Sequence, residues 1–165
     1  MTTLFHGSAL CEVDADGTLP VPEFLAEALG AAAPGTEILV SRHEADQCLV
    51  AYPRDHLQTL RRQTERRRRA EERAGRDPRG HHRRVRRTFG AIEPMPRTAS
   101  RMCIPPAMRH LGRIDALALF VGAGESFEIW NPDLAAASDD AHFRDLAAWS
   151  LDARGRDTNS TPGEQ

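Results

Sequence analysis

A chain of 165 residues with a net charge of −2 suits one globular unit, or two very small ones sharing a core, and the total charge alone gives no reason to expect nucleic acid. The three cysteines, Cys11, Cys48 and Cys103, stand far apart with no C-x-x-C, which argues against a disulfide framework and for buried thiols in a reducing compartment. The start MTTLFHGSAL has no basic n-region, and no stretch approaches the length of a membrane span, so a soluble cytoplasmic protein is expected.

In chain order, residues 4–14 (LFHGSALCEVD) alternate loosely and end at the turn cluster Asp14-Ala15-Asp16-Gly17. Thr18 to Val21 predicts a short strand. Pro22 then fits the first position of a helix with Phe24, Leu25, Ala28 and Leu29 on one face. EILVS, residues 37–41, and QCLVAY, residues 47–52, read as hairpin partners, and Pro53 as the start of an Arg-rich helix that ends at Gly75 and the Asp77-Pro78 break. HHRRVRRTFG predicts a second helical piece. An irregular lead-in over 94–99 precedes a strand at 101–104, and Pro105-Pro106 opens a short helix. ALALFV and FEIW are strands around the tight turn Gly122-Ala123-Gly124; Asn131-Pro132 opens another helix, and a final amphipathic helix carries Phe143, Leu146, Ala147 and Trp149. The polar end is expected to be disordered.

The chain is therefore an internal repeat. VDADGTLPVP, residues 13–22, has a counterpart in PRTASRMCIP, residues 96–105: Val21-Pro22 answers Ile104-Pro105, and Tyr52-Pro53 answers Trp130-Asn131-Pro132. Each half is too small to bury a core alone, so two halves with interleaved strands should share one.

Charge is distributed unevenly. From Arg61 to Arg87 there are thirteen arginines and four acids, a local +9, which leaves −11 for the rest of a chain whose sum is −2. Lysine is absent, as codon bias in a GC-rich genome would produce. The two repeated turns also differ in sign: Asp14 and Asp16 mark the first, Arg97 and Arg101 the second. Such poles are expected to pair, either across the pseudo-twofold or between neighbours in a head-to-tail ring.

An ordered set of residues carries a resemblance. It runs through Phe5, Gly7, Asp14, Gly17, Val21 and Pro22, then CLVAYP at 48–53, RRVRR at 83–87 and Gly90. It continues with RMCIP at 101–105, LFVG at 119–122 and FEIW at 127–130. This order, over roughly residues 4–135, resembles the MraZ family, bacterial transcriptional regulators encoded with division and cell-wall genes. The resemblance implies an α+β fold: two tandem AbrB-like (SpoVT-AbrB) swapped-hairpin modules forming a pseudo-twofold double-split β-barrel with flanking helices. It divides the chain into a first module (5–55), an Arg-rich helical linker (56–88), a second module (89–134), a C-terminal helix (135–152) and a disordered tail (153–165). It also implies double-stranded DNA as partner, a ring-shaped homo-oligomer, and a cytoplasmic, nucleoid-associated location.

The family's D-x-x-x-R turn motif is incomplete in both halves. Asp14 is present, but Thr18 stands where the arginine belongs; Arg101 is present, but Arg97 stands where the aspartate belongs. Arginine at a hairpin tip suits DNA, because its fork can engage phosphates or guanine O6 and N7 together. Arg101 and Arg97 are thus the candidate DNA contacts, set against a solvated turn with no partner. Asp14, Gly17, Thr18, Pro22 and Pro105 are read as turn and helix-start structure. Arg66, Arg67, Arg68 and Arg69 surround their helix rather than forming a stripe, which suits a solvated face or nonspecific phosphate attraction.

No enzyme motif, cofactor or metal is expected. The seven histidines lack metal-ligand spacing, and Gly122-Ala123-Gly124 links two strands rather than a strand to a helix. The expected function is a DNA-binding transcriptional regulator, a repressor; the alternative is a degenerate, oligomeric interaction protein that keeps the fold and no longer reads DNA.

Overall fold

The computed structural model describes residues 2–32 and 34–159. Eight strands and six helices alternate along them. The first half holds β1 (Ser8–Glu12), β2 (Thr18–Pro20), α1 (Glu23–Gly30), β3 (Ile38–Arg42) and β4 (Leu49–Pro53). Two helices follow, α2 (His56–Arg73) and α3 (Pro78–Phe89). The second half holds β5 (Glu93–Pro94), β6 (Arg101–Cys103), α4 (Pro106–Gly112), β7 (Leu117–Gly122) and β8 (Phe127–Trp130), then α5 (Pro132–Ala136) and α6 (Ala141–Asn159).

The order β, β, α, β, β thus occurs twice, and the two copies exchange strands. The antiparallel sheet runs β1-β7-β8-β4-β3-β5, and β2 and β6 form a separate ribbon. Strand β1 of the first half lies on β7 of the second, and β5 of the second lies on β3 of the first. At the centre like meets like: Val50 faces Glu128 where β4 meets β8, and Leu19 faces Met102 where β2 meets β6. The sheet is open, with β1 and β5 at its edges, so the expected barrel does not close. Strand β5 has two residues, one of them Pro94 with no N–H to donate, and proline of this kind belongs on an edge.

The core lies on one face of the sheet and draws on both halves. Phe5, Leu19, Leu25, Ile38 and Leu49 pack with Met102, Ile104, Met108, Phe120, Phe127 and Ile129. Phe127 sits edge-on to Phe5 at 5.2 Å between ring centroids and beside Phe120 at 6.1 Å. Burying each such side chain stabilises the fold by about 1.5–3 kcal/mol, and neither half holds enough of them to stand alone. On the opposite face, Leu119 and Trp130 are covered by α5 and α6 through Ala135, Phe143 and Ala147.

Three expectations are corrected at the ends of elements. Pro53 closes β4 instead of opening the helix; it pairs with Ile38, the next residue's N–H donates to the Glu37 carbonyl at 3.0 Å, and α2 begins after Asp55. Pro22 caps α1 from outside, its carbonyl accepting the Ala26 N–H at 2.9 Å. The final helix runs to Asn159, so residues 153–159 are helical rather than disordered, and residues 160–165 lie outside the described residues. That extension is tied to the sheet where Arg154 donates to Glu12 of β1, and along the helix itself the Arg156 guanidinium lies 5.0 Å from the Trp149 ring centroid.

Candidate nucleic-acid interface

The β2-β6 ribbon brings the two repeated turns side by side. Gly17, with φ of +87°, closes the first turn, and its N–H donates to the Asp14 carbonyl at 2.9 Å. The Gly17 carbonyl accepts the Ile104 N–H at 3.0 Å, and the Ser100 carbonyl accepts the Val21 N–H at 2.9 Å. Pro22 and Pro105 both stand as caps, opening α1 and α4 on either side of the ribbon.

The charges at this tip satisfy one another. Arg101 donates through Nη2 to Asp14 Oδ2 at 2.7 Å and to Thr18 Oγ1 at 3.1 Å. The Thr18 hydroxyl in turn donates to Asp16 Oδ1 at 2.7 Å. That hydroxyl, followed by the Thr18 N–H, holds the Asp16 carboxyl below the usual carboxylate range. Arg109 of α4 reaches back to the Ala15 carbonyl at 2.9 Å. Two aspartates and two arginines therefore meet with no net charge. Of the poles read from the sequence, Asp14 and Arg101 pair, and they do so within one chain.

Arg97 faces elsewhere. Its Nη2 donates to the Thr36 carbonyl at 2.7 Å, and its Nε is buried without a partner among the described residues. It is engaged with the first half's backbone, whereas Arg101 stays half-exposed at the tip.

The arginine run on α2 is largely neutralised. Arg67 pairs with Glu44 at 3.0 Å, Arg68 with Glu65 and Glu72, and Arg69 with Glu65 at 3.4 Å; Arg66 has no such partner among the described residues. The Arg68 pair holds the Glu65 carboxyl down to about 2. Helix α3 is different. Asp77 caps it by accepting the Arg79 N–H at 2.9 Å, and Arg84 pairs with Glu71 of α2 at 2.5 Å, both side chains only 15% exposed. With that side fixed, Arg79, Arg83 and Arg86 point outward, and Arg87, also exposed, stands on the flank where α3 borders a cavity described below. Sequence reasoning missed this stripe because the denser run at 66–69 drew attention; the i, i+4, i+7, i+8 spacing opposite Val85 and Phe89 was its signal.

Two other places have site-like chemistry. His43, Cys48 and Glu128 bring one ligand atom each to within 4.8 Å of one another. However, His43 Nδ1 accepts the N–H groups of Ala45 and Asp46 at 3.1 and 3.0 Å. The proton of the neutral ring then sits on Nε2, the nitrogen that would have to be bare to bind a metal. Burial, with the Glu128 and Asp46 carboxylates, also pushes the Cys48 thiol up, away from the thiolate. The trio does not fit a metal.

The second place is a cavity of about 380 Å³ between β3, β4 and helices α2 and α3, lined by Ser41, Tyr52, His56, Gln63, Arg87 and Glu125 among others. The hydroxyls of Ser41 and Tyr52 are buried without a partner among the described residues. Burial pushes the Tyr52 phenol up to about 12, so it stays neutral. An unmet buried hydroxyl costs about 1–3 kcal/mol. Tyr52→Phe should therefore leave stability unchanged or raise it by up to about 1 kcal/mol, read as a denaturant midpoint; a loss above about 1 kcal/mol would show that the hydroxyl has a partner in solution.

Taken together, the duplicated β, β, α, β, β unit, the exchanged strands and the shared core define an α+β protein built from two like halves folded as one body. The curated proteins it is similar to share this extent. A "Transcriptional regulator MraZ" of Dechloromonas aromatica is 30% identical over 130 residues, covering 78% of this chain and 81% of that protein. A namesake in Pseudomonas putida is 28% identical over 132 residues (79% and 82%), and one in Pseudomonas fluorescens 26% identical over 147 residues (88% and 89%). No family model matches the chain. The chain belongs to the MraZ family.

Proposed function

We propose that the protein is a DNA-binding transcriptional regulator, a repressor of a division and cell-wall gene cluster, that works at the nucleoid as a ring-shaped homo-oligomer of tandem swapped-hairpin modules. The reciprocal pairing of β1 with β7 and β3 with β5 supports the swapped-hairpin reading. The observation that carries the functional reading is the β2-β6 ribbon, which sets the paired turns and a half-exposed Arg101 at one tip. A ring repeats that tip, so each protomer needs little affinity of its own. In this reading the ring is held by surfaces other than the Asp14–Arg101 pair, because that pair is satisfied inside one chain.

The second reading, an oligomeric interaction protein without specific DNA binding, is favoured by the same contact: an arginine tied to Asp14 and Thr18 is not free to read a base. One experiment separates them. Duplex from the gene's own upstream region and a scrambled duplex are titrated at two salt concentrations. Asp14→Asn removes the carboxylate that holds Arg101, and a charge-assisted hydrogen bond to DNA contributes about 1.5 kcal/mol, so affinity for the upstream duplex should rise roughly tenfold. Arg101→Ala should erase the preference for that duplex. No binding by either protein, with the free oligomer's mass intact, supports the interaction protein.

A further inference from the structure

We infer that the outward stripe of α3, formed by Arg79, Arg83 and Arg86 with the exposed Arg87 on its flank, is a phosphate-tracking face that lies along the backbone of duplex DNA; this rests on the regulator reading above. All four side chains are exposed, and none has an ion-pair or hydrogen-bond partner among the described residues. Helix α3 contains no acid, so nothing on the helix competes for these cations. By contrast, three of the four arginines at 66–69 are already paired with glutamates. At 1.5 Å per residue the stripe covers about 12 Å, and a duplex presents about one phosphate charge per 1.7 Å of axis, so several phosphates fall within its length.

The stripe is held in place from behind. Arg84 on the inner side pairs with Glu71 of α2, and Asp77 fixes the helix start. The cations therefore project from an anchored helix and lose little freedom on binding. The apolar residues of α3, Val85 and Phe89, belong to its inner, partly buried side. The exposed residues of α3 are Arg79, His82, Arg83, Arg86 and Arg87, with Pro78 and Gly80 at its first turn and no large apolar side chain among them. A helix that lies in a lipid surface needs an apolar face to bury, which this outer side lacks. The neutral tip and the cationic stripe then divide the work: the tip carries any sequence preference and the stripe supplies sequence-independent affinity.

The test uses the full chain and the variant Arg83→Gln/Arg86→Gln, with thermal melting to show that the fold is kept. Binding to the upstream duplex and to a scrambled duplex is measured by fluorescence anisotropy across a salt series. Each lost phosphate contact lowers the slope of log K against log salt by about 0.9, so the double variant should lose a slope of about 2. Its affinity should fall by the same factor on both duplexes. An unchanged slope overturns the stripe while leaving the regulator reading intact. A loss confined to the upstream duplex also overturns it, since the arginines would then be reading bases. Binding of the unmutated chain to anionic lipid vesicles, lost in the variant while DNA binding is kept, assigns the stripe to membrane and overturns it too. Absence of duplex binding by the unmutated chain, at any salt, removes the regulator reading itself.

Discussion

Phe127→Ala should lower the free energy of unfolding by about 3–5 kcal/mol, a large share of the 5–15 kcal/mol typical of a domain. Phe127 is fully buried on β8, and its ring meets Phe5 from the chain's start at 5.2 Å and Phe120 of β7 at 6.1 Å. Its backbone position faces Ala51 of β4, where the two halves join. Truncation therefore leaves a cavity at the seam and removes two aromatic contacts together, each worth about 0.5–1.5 kcal/mol beyond area burial. The location matters as much as the size. If the halves share one core, the denaturant curve stays a single transition with a lower midpoint. Two transitions, with only one displaced, would mean that the halves fold separately.

A shared core was legible because its elements have clear local signals. QCLVAY and ALALFV are short apolar runs bounded by turn residues, and each appears as a strand, β4 and β7, starting two residues and one residue later and ending one residue further on. The Pro-marked starts of α1 and α4 and the twofold order of elements were also visible. Pro53 was misplaced because a proline both opens helices and closes edge-like strand ends; only the hydrogen bond from the next residue to Glu37 decides between them. The final turns of α6 were missed because their tie to the sheet, Arg154 on Glu12 of β1, is not a matter of local propensity.

The candidate site was legible in part. Opposite charge on the two turns foretold that Asp14 and Arg101 would pair, but the choice between one chain and two needed the β2-β6 register, which sets Thr18 against Cys103 and Pro20 against Arg101. Thr18 looked like a plain loss of arginine. In the folded chain its hydroxyl relays between Arg101 and Asp16, so the substitution builds a hydrogen-bonded turn in place of a free cation. The neutral tip follows from Asp14, Asp16, Arg101 and Arg109 together, with Thr18 linking them, and no one of them announces it.

Gly17→Ala should be the most damaging change at the tip, at about 3 kcal/mol, the upper end of what a residue forced into a sparsely populated conformation costs. Gly17 has φ of +87°, a conformation that L side chains rarely adopt. A Cβ there would also stand 2.7 Å from the Ile104 carbonyl oxygen and 3.1 Å from Arg109 Cδ. The first of these is backbone and cannot swing aside, and the Gly17 carbonyl is itself bonded to the Ile104 N–H. Relief requires β2 and β6 to part, which would also separate Asp14 from Arg101. Gly124→Ala is the matched control: φ is +84°, but nothing lies within 4 Å of the added carbon. It should show the conformational cost alone, about 1 kcal/mol at the low end of that range. Equal losses at the two glycines would refute the steric argument and leave strain as the whole effect. If Gly17→Ala is the worse by about 2 kcal/mol and also abolishes preference for the upstream duplex, the ribbon is both a structural tie and the mount that aims the tip.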